Sequence, residues 1–229
     1  MCRKKIVRGS KTALVTGAST GIGRCYAHEL AKRGYNIIAV SNQQHELEAV
    51  TGELRAAYNI SAHYIYADLA AADAAESIFN RCKAEGWQVD ILICNAGMLL
   101  FSTLTRTEPK RLETIVGLHC TTTTLLCRYF GEVMKERRHG RILLMSSSTA
   151  WLPYPTISHY AATKAYLHSF AQSLWYEFRP HGVTVTTVYP GAVDTPLYSL
   201  DVKQRKWLRT FGVMMSAEKL AKSGIRALE

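Results

Sequence analysis

The stretch Thr12-Ala13-Leu14-Val15-Thr16-Gly17-Ala18-Ser19-Thr20-Gly21-Ile22-Gly23 sets the architecture of the chain. Its first five residues form an apolar, partly β-branched run of strand length, and a helix-length segment, Gly21 to Arg33, follows. Glycines at 17, 21 and 23 let the intervening backbone turn sharply and approach a ligand with no Cβ in the way. The helix start then offers free N–H groups and a positive dipole end to a pyrophosphate. A glycine-rich turn after a buried strand can use the same residues with no ligand, and Gly-x-x-x-Gly-x-Gly alone is a weak signal. The strand–turn–helix setting favours a bound nucleotide.

The same alternation continues outward. Strand-like runs recur at Asn36 to Ser41, Ala62 to Ala67, Val89 to Cys94, Arg141 to Ser146 and Val183 to Tyr189. Most are apolar throughout, as strands covered on both faces should be. Between them lie helix-length segments: Gln44 to Tyr58, Ala70 to Glu85, Glu108 to Arg137 and Ser158 to Pro180, with a last one at Ser216 to Leu228. Repeated strand–helix–strand units with right-handed crossovers predict an α/β fold, a doubly wound parallel sheet with helices on both faces. At 229 residues, with no linker or repeat, a single domain over 1–229 is expected. It would carry a basic tail at 1–10 and a substrate lid at 196–215.

Composition narrows the function classes. Hydrophobic residues make up 48%, with 15 Gly and 6 Pro, which excludes a disordered or collagen-like chain. The longest apolar stretch, Val89 to Phe101, is interrupted by Asp90 and Asn95, so no membrane span is expected. Met1-Cys2-Arg3-Lys4-Lys5 is basic but lacks the apolar run of a secretory signal, and a cytoplasmic protein is expected. The net charge of +10 is dispersed and has no aromatic-interleaved stripe, so a nucleic-acid partner is not expected. Six cysteines form no CxxC pair and no Cys/His zinc spacing, so neither a disulfide framework nor a metal site is expected.

Three further features carry chemistry. The second strand ends in Val40-Ser41-Asn42-Gln43, where a dinucleotide fold commonly places the acid that grips a ribose 2′-hydroxyl. A carboxylate there would repel a 2′-phosphate, whereas Ser41 and Asn42 can donate hydrogen bonds to one; this favours NADP(H) over NAD(H). Arg24 is near enough in sequence to be a second candidate for that phosphate. Tyr160 and Lys164 share a helix face, and an ammonium one turn away favours the phenolate of a tyrosine that alone titrates near 10. Such a pair can pass a proton to a carbonyl oxygen, although tyrosine and lysine at this spacing are more often plain surface neighbours. Ser147 closes the fifth strand, 13 residues before Tyr160, at a strand end where doubly wound sheets build their crevice. A serine there can stabilise charge on a reacting oxygen.

Taken together, these motifs resemble the short-chain dehydrogenases/reductases, a family of one-domain Rossmann-fold enzymes. The resemblance covers nearly the whole chain. It rests on Thr16 to Gly23, Asp68-Leu69, Asn95-Ala96-Gly97, Ser147 with Tyr160-x-x-x-Lys164, and Pro190-Gly191-Ala192-Val193-Asp194-Thr195, in family order and spacing. The first half is most similar to the long-chain 3-oxoacyl-CoA reductase and 17β-hydroxysteroid dehydrogenase branch. The resemblance implies that Gly17, Ser19, Thr20, Gly21, Ile22 and Gly23 hold the pyrophosphate and nearby ribose. Asp68 and Leu69 would meet the adenine, and Asn95, Ala96 and Gly97 the adenosine-side wall. Pro190, Gly191, Val193 and Thr195 would seat the carboxamide. Tyr160 would act as general acid/base, Ser147 would orient the oxygen, and Lys164 would bind the nicotinamide ribose.

Two departures from the family stand out. His119 occupies the position where the family commonly has an asparagine, and it is equally a candidate proton shuttle and a buried structural histidine. The family usually carries a seventh strand after the last helix, and none is expected here, so either the sequence is truncated or a partner covers that edge. Substrate loops carry Leu99, Trp151 and Tyr154, with Trp207, Phe211, Met214 and Met215 in the expected lid, which suits a lipid-like carbonyl such as an acyl thioester or steroid. Lys203 to Lys206 is basic enough to meet a coenzyme A phosphate, or simply to face water. The resemblance also implies a homodimer or homotetramer built on the 108–137 and Tyr160 helices. The expected activity is NADP(H)-linked interconversion of a ketone and a secondary alcohol; the alternative is a coenzyme-binding sensor or scaffold without turnover.

Overall fold

The computed structural model describes residues 11–198 and 201–229. The expected basic tail at 1–10 lies outside them, as do two residues of the expected lid, 199 and 200.

Six parallel strands form the main sheet: β1 (Thr12–Thr16), β2 (Asn36–Ser41), β3 (Ala62–Tyr66), β4 (Ile91–Cys94), β5 (Gly140–Met145) and β6 (Val183–Val188). Their order is β3-β2-β1-β4-β5-β6, so the chain steps outward one way from β1 and then restarts on its other side at β4. The helices between them are α1 (Gly21–Lys32), α2 (Gln44–Ala57), α3 (Ala74–Ala84), α4 (Pro109–Val116), α5 (Thr122–Glu136) and α6 (Ser158–Phe178). After β6 come β7 (Val193–Asp194), α7 (Val202–Thr210), β8 (Met215–Ser216) and α8 (Ala217–Leu228). β7 and β8 pair only with each other, parallel, outside the main sheet.

The unbroken apolar strands follow from the period-two pleat between two helical layers. Leu14, Ile38, Leu92, Ile142 and Leu144 face a core shared with α3, α5 and α6. Their neighbours Ala13, Val15, Ile37, Ile91, Ile93 and Leu143 face a second core with α1, α2 and α8. β3, at an edge, shows the alternation expected of a half-covered strand, with Tyr64 and Tyr66 exposed.

One expected element is corrected. The single helix over Glu108 to Arg137 is interrupted: α4 and α5 are separated by a π-helical turn at Gly117–Thr121. The turn widens the backbone where Gly117 passes Ala70, whose carbonyl oxygen lies only 3.3 Å from the place a Cβ would take. His119 lies within this turn and is buried. The apolar-basic stretch from Lys203 folds largely as α7.

Candidate active site

The order of strand addition reverses between β1 and β4, and the crevice opens at their carboxyl ends. Thr16 joins the two strand ends. Its Oγ1 accepts from the Asn95 and Ala96 backbone N–H groups at 2.9 and 3.0 Å and donates to Ile93 O at 3.2 Å. The Asn95 amide donates to Thr16 O at 3.1 Å. The turn that follows needs its glycines. Gly17 has φ +65°, a left-handed conformation, and a Cβ on Gly23 would stand 2.0 Å from Gly17 O. α1 therefore starts hard against the end of β1. It carries no side-chain cap and no acid in its first turn, so its N–H groups are left for an anion.

A cavity of about 500 Å³ occupies the crevice. Gly17, Ser19, Thr20, Gly21 and Ile22 form its floor, and Gly23 lies beneath them. Ser41, Asn42, Asp68, Leu69, Asn95, Ala96 and Gly97 also line it. Pro190, Gly191, Val193 and Thr195 line it too, and so do Ser147, Tyr160 and Lys164. Thr195 Oγ1 is buried there with no hydrogen-bond partner among the described residues. Leu69 is held by Thr122, whose hydroxyl donates to Leu69 O at 2.7 Å.

The second-strand end holds no carboxylate. Ser19 Oγ donates to Gln43 Oε1 at 2.6 Å, so the 2.9 Å contact between Ser19 and Ser41 takes its proton from Ser41. Both hydroxyl protons are thus used, which leaves the Asn42 and Gln43 amide N–H groups as side-chain donors. Gln43, on the lining, was not among the residues expected from the sequence. Arg24 is turned away from the cavity and paired with Glu53 on α2 at 2.5 Å.

β5 and α6 are bolted together where Ser147, Tyr160 and Lys164 sit. Ser146 Oγ donates to Lys164 O at 2.8 Å, and Lys164 Nζ donates to Met145 O at 2.9 Å. Nζ lies 5.5 Å from the centre of the Tyr160 ring. Burial lowers the Lys164 pKa from 10.5 to about 8, against a smaller opposing influence of Cys120. Ser147 Oγ accepts from Thr149 N at 3.2 Å, which keeps its own proton for a partner in the cavity.

His119 is behind the wall rather than on it. A Cβ on Gly97 would come within 2.9 Å of its Nε2, so the glycine makes room for the ring. Both ring nitrogens are engaged, Nε2 by the Met98 N–H at 3.0 Å and Nδ1 by Thr163 Oγ1 at 2.8 Å. Of the expected substrate residues, Leu99 lines a second cavity of about 520 Å³ next to the first. Trp151 and Tyr154 line neither; Trp151 lies over His168 and Tyr189, with ring centres 4.1 and 5.2 Å away. Met98, Thr114, Leu118 and Leu197 complete the apolar mouth instead.

The short chain dehydrogenase family model matches residues 11–206. The chain belongs to this family. Among curated short-chain dehydrogenase relatives, it is 31% identical over 215 residues to 17-beta-hydroxysteroid dehydrogenase type 3 of Homo sapiens, covering 93% of this chain and 66% of that protein. It is 34% identical over 195 residues to very-long-chain 3-oxoacyl-CoA reductase of Mus musculus, covering 81% of this chain and 60% of that protein. The chain thus spans about two thirds or less of the length of these two relatives. Among solved structures, a short-chain dehydrogenase from Sphingobium yanoikuyae in complex with NADPH superposes with a TM-score of 0.86 at 27% identity, over 94% of this chain and 83% of that one. A 3-oxoacyl (acyl-carrier-protein) reductase from Agrobacterium tumefaciens C58 with NADP bound gives 0.88 at 28% identity, over 97% and 88%. Among the described residues no helix is long and apolar enough to cross a membrane, and no group of three or more His, Cys, Asp and Glu is placed to hold a metal.

Proposed function

We propose that this chain is an NADP(H)-dependent carbonyl reductase in which Tyr160 protonates the substrate oxygen. The observation that carries this reading is the convergence of Ser147, Tyr160 and Lys164 on the cavity floored by the glycine turn. The cavity's residues fit a phosphorylated dinucleotide. A bare helix start faces the pyrophosphate position, Asn42 and Gln43 replace a carboxylate at the 2′ position, and Thr195 Oγ1 has an unused hydrogen-bonding group for the carboxamide. NADP(H) in the Sphingobium and Agrobacterium relatives supports the same choice.

When bound, NADPH supplies the hydride. The Tyr160 hydroxyl gives its proton to the carbonyl oxygen. Ser147 donates a hydrogen bond to that oxygen and stabilises the charge that develops there. Lys164, protonated below its pKa of about 8, keeps a positive charge beside the phenol and presents N–H groups toward a ribose. His119 acts as a positioning residue. Its neutral ring ties the Gly97–Met98 wall to Thr163, whose hydroxyl bonds Tyr160 O at 2.7 Å.

The apolar mouth of Met98, Leu118 and Leu197 suits a lipid-like ketone, in keeping with the hydroxysteroid and 3-oxoacyl-CoA relatives. The segment 196–215 serves as lid, bringing Pro196 and Leu197 to the cavity. Two copies meet across α5 and α6, where Tyr166 and Tyr176 are exposed; sedimentation that gives a single-chain mass would overturn that assembly.

Parallel NADH and NADPH titrations followed by a ketone panel test the activity. Tighter NADPH binding and ketone-dependent loss of its absorbance are expected. Tight coenzyme binding with no turnover of any ketone would instead mark a binding protein.

A further inference from the structure

We propose that the second cavity receives the anionic end of an amphiphilic substrate whose carbonyl lies at Tyr160. The inference rests on the reductase reading only for what happens at the carbonyl. The cavity measures about 520 Å³, within the roughly 300–1,000 Å³ typical of small-molecule sites. Its lining combines apolar Leu99, Leu100, Phe101 and Leu197 with charged Arg106, Arg111 and Glu108.

Three separate segments give residues to both cavities. Leu197 belongs to each. The loop that carries Gly97 and Met98 along the first continues as Leu99 to Ser102 along the second. On α4, Arg111 faces the second and Thr114, one turn later, the first. Leu197 and these segments therefore border both cavities, so the second lies within reach of a long molecule anchored at Tyr160 that extends past Leu197.

The charge of that cavity is unbalanced. Two guanidinium groups stand against one carboxylate, and neither arginine has an ion-pair partner among the described residues. Guanidinium groups bind carboxylate or phosphate oxygens through paired N–H donors, and the leucines and Phe101 beside them would cover an alkyl chain. Lys203 and Lys206, by contrast, are exposed and line neither cavity.

Calorimetric titration of the NADPH-loaded protein with octanoate, octyl phosphate and octanol tests this without relying on turnover. At least one anion should bind about tenfold more tightly than octanol, and the stronger of the two identifies a carboxylate or a phosphate head. In the double variant Arg106→Gln/Arg111→Gln that advantage should fall below twofold, with the thermal midpoint unchanged. Raising ionic strength should weaken the anion but not octanol, because both arginines are exposed. Equal affinity for anion and alcohol in the unaltered protein, or an advantage that survives both substitutions, would overturn the proposal. Anion selectivity without reduction of any ketone would leave it standing and remove the reductase reading instead.

Discussion

His119 Nδ1 stands 2.8 Å from Thr163 Oγ1, and the surrounding bonds settle which atom holds the proton. Nε2 already accepts from Met98 N–H, and the Thr163 hydroxyl already donates to Tyr160 O. Nδ1 is therefore the donor, and the ring is neutral. Burial pushes its pKa well below 6.5, helped by the nearby Lys164 and His159.

Removing that ring should loosen the link between the Gly97–Met98 wall and α6, which carries Tyr160. In His119→Leu the part-buried Met98 N–H loses its acceptor, while Thr163 Oγ1 loses one bond but keeps Tyr160 O, at about 1–3 kcal/mol in all. The expected result is a lower thermal midpoint and about a tenfold fall in kcat with a smaller change in KM. His119→Asn should recover part of both. Because the histidine is neutral throughout, the pH profile of kcat around 6.5 should be the same in His119→Asn and the unaltered protein; loss of a titration step there would make His119 a proton shuttle after all.

Lys164 leaves a mark on stability. Its pKa is lowered to about 8 in the folded chain from 10.5, so between these values the unfolded chain binds a proton that the folded chain has released. Stability from this group therefore rises with pH across that window, by up to about 3 kcal/mol. Denaturant titrations from pH 8 to 10.5 should show a steeper upward slope for the unaltered protein than for Lys164→Met. Equal slopes would place the ammonium in water.

Two glycines of the cavity should respond differently to alanine. At Gly23 the new Cβ meets backbone, Gly17 O at 2.0 Å, and one segment must move; Gly23→Ala should cost at least about 2 kcal/mol of stability as well as NADPH binding. At Gly191 nothing lies within 4 Å of the Cβ position, so Gly191→Ala should keep its thermal midpoint and lose only coenzyme affinity. Melting curves read beside NADPH titrations separate the two effects.

How much of this was legible beforehand depended on how local the cause was. Apolar runs such as Ile37-Ile38-Ala39-Val40 announce a strand covered on both faces, and the sheet places them there. The glycine turn carries its own steric reason. The π-helical turn at Gly117–Thr121 does not: its bonding pattern has no residue signature, and the Ala70 backbone packed against it is remote in sequence. Trp151 looked like a substrate contact because it follows Ser147, yet its orientation is decided by His168 and Tyr189. Gln43 was missed because its place on the lining depends on the Ser19–Ser41 network, which only the fold assembles.

Coenzyme preference rests on charge at an exposed position. Asn42→Asp adds a carboxylate where the 2′-phosphate is expected, so NADPH affinity should fall at least about tenfold, roughly 1.4 kcal/mol, while NADH affinity holds or improves. Titration of both coenzymes decides it, and an unchanged NADPH constant would move the phosphate elsewhere.

The most direct measurement compares NADPH binding with NADPH consumption in Tyr160→Phe. Loss of one hydroxyl from a residue on the cavity lining should leave the dissociation constant for NADPH within about threefold and lower kcat with a reducible ketone by at least about a hundredfold, the smaller end of what a positioned acid contributes. Near-normal turnover in the phenylalanine variant would mean that another group protonates the product.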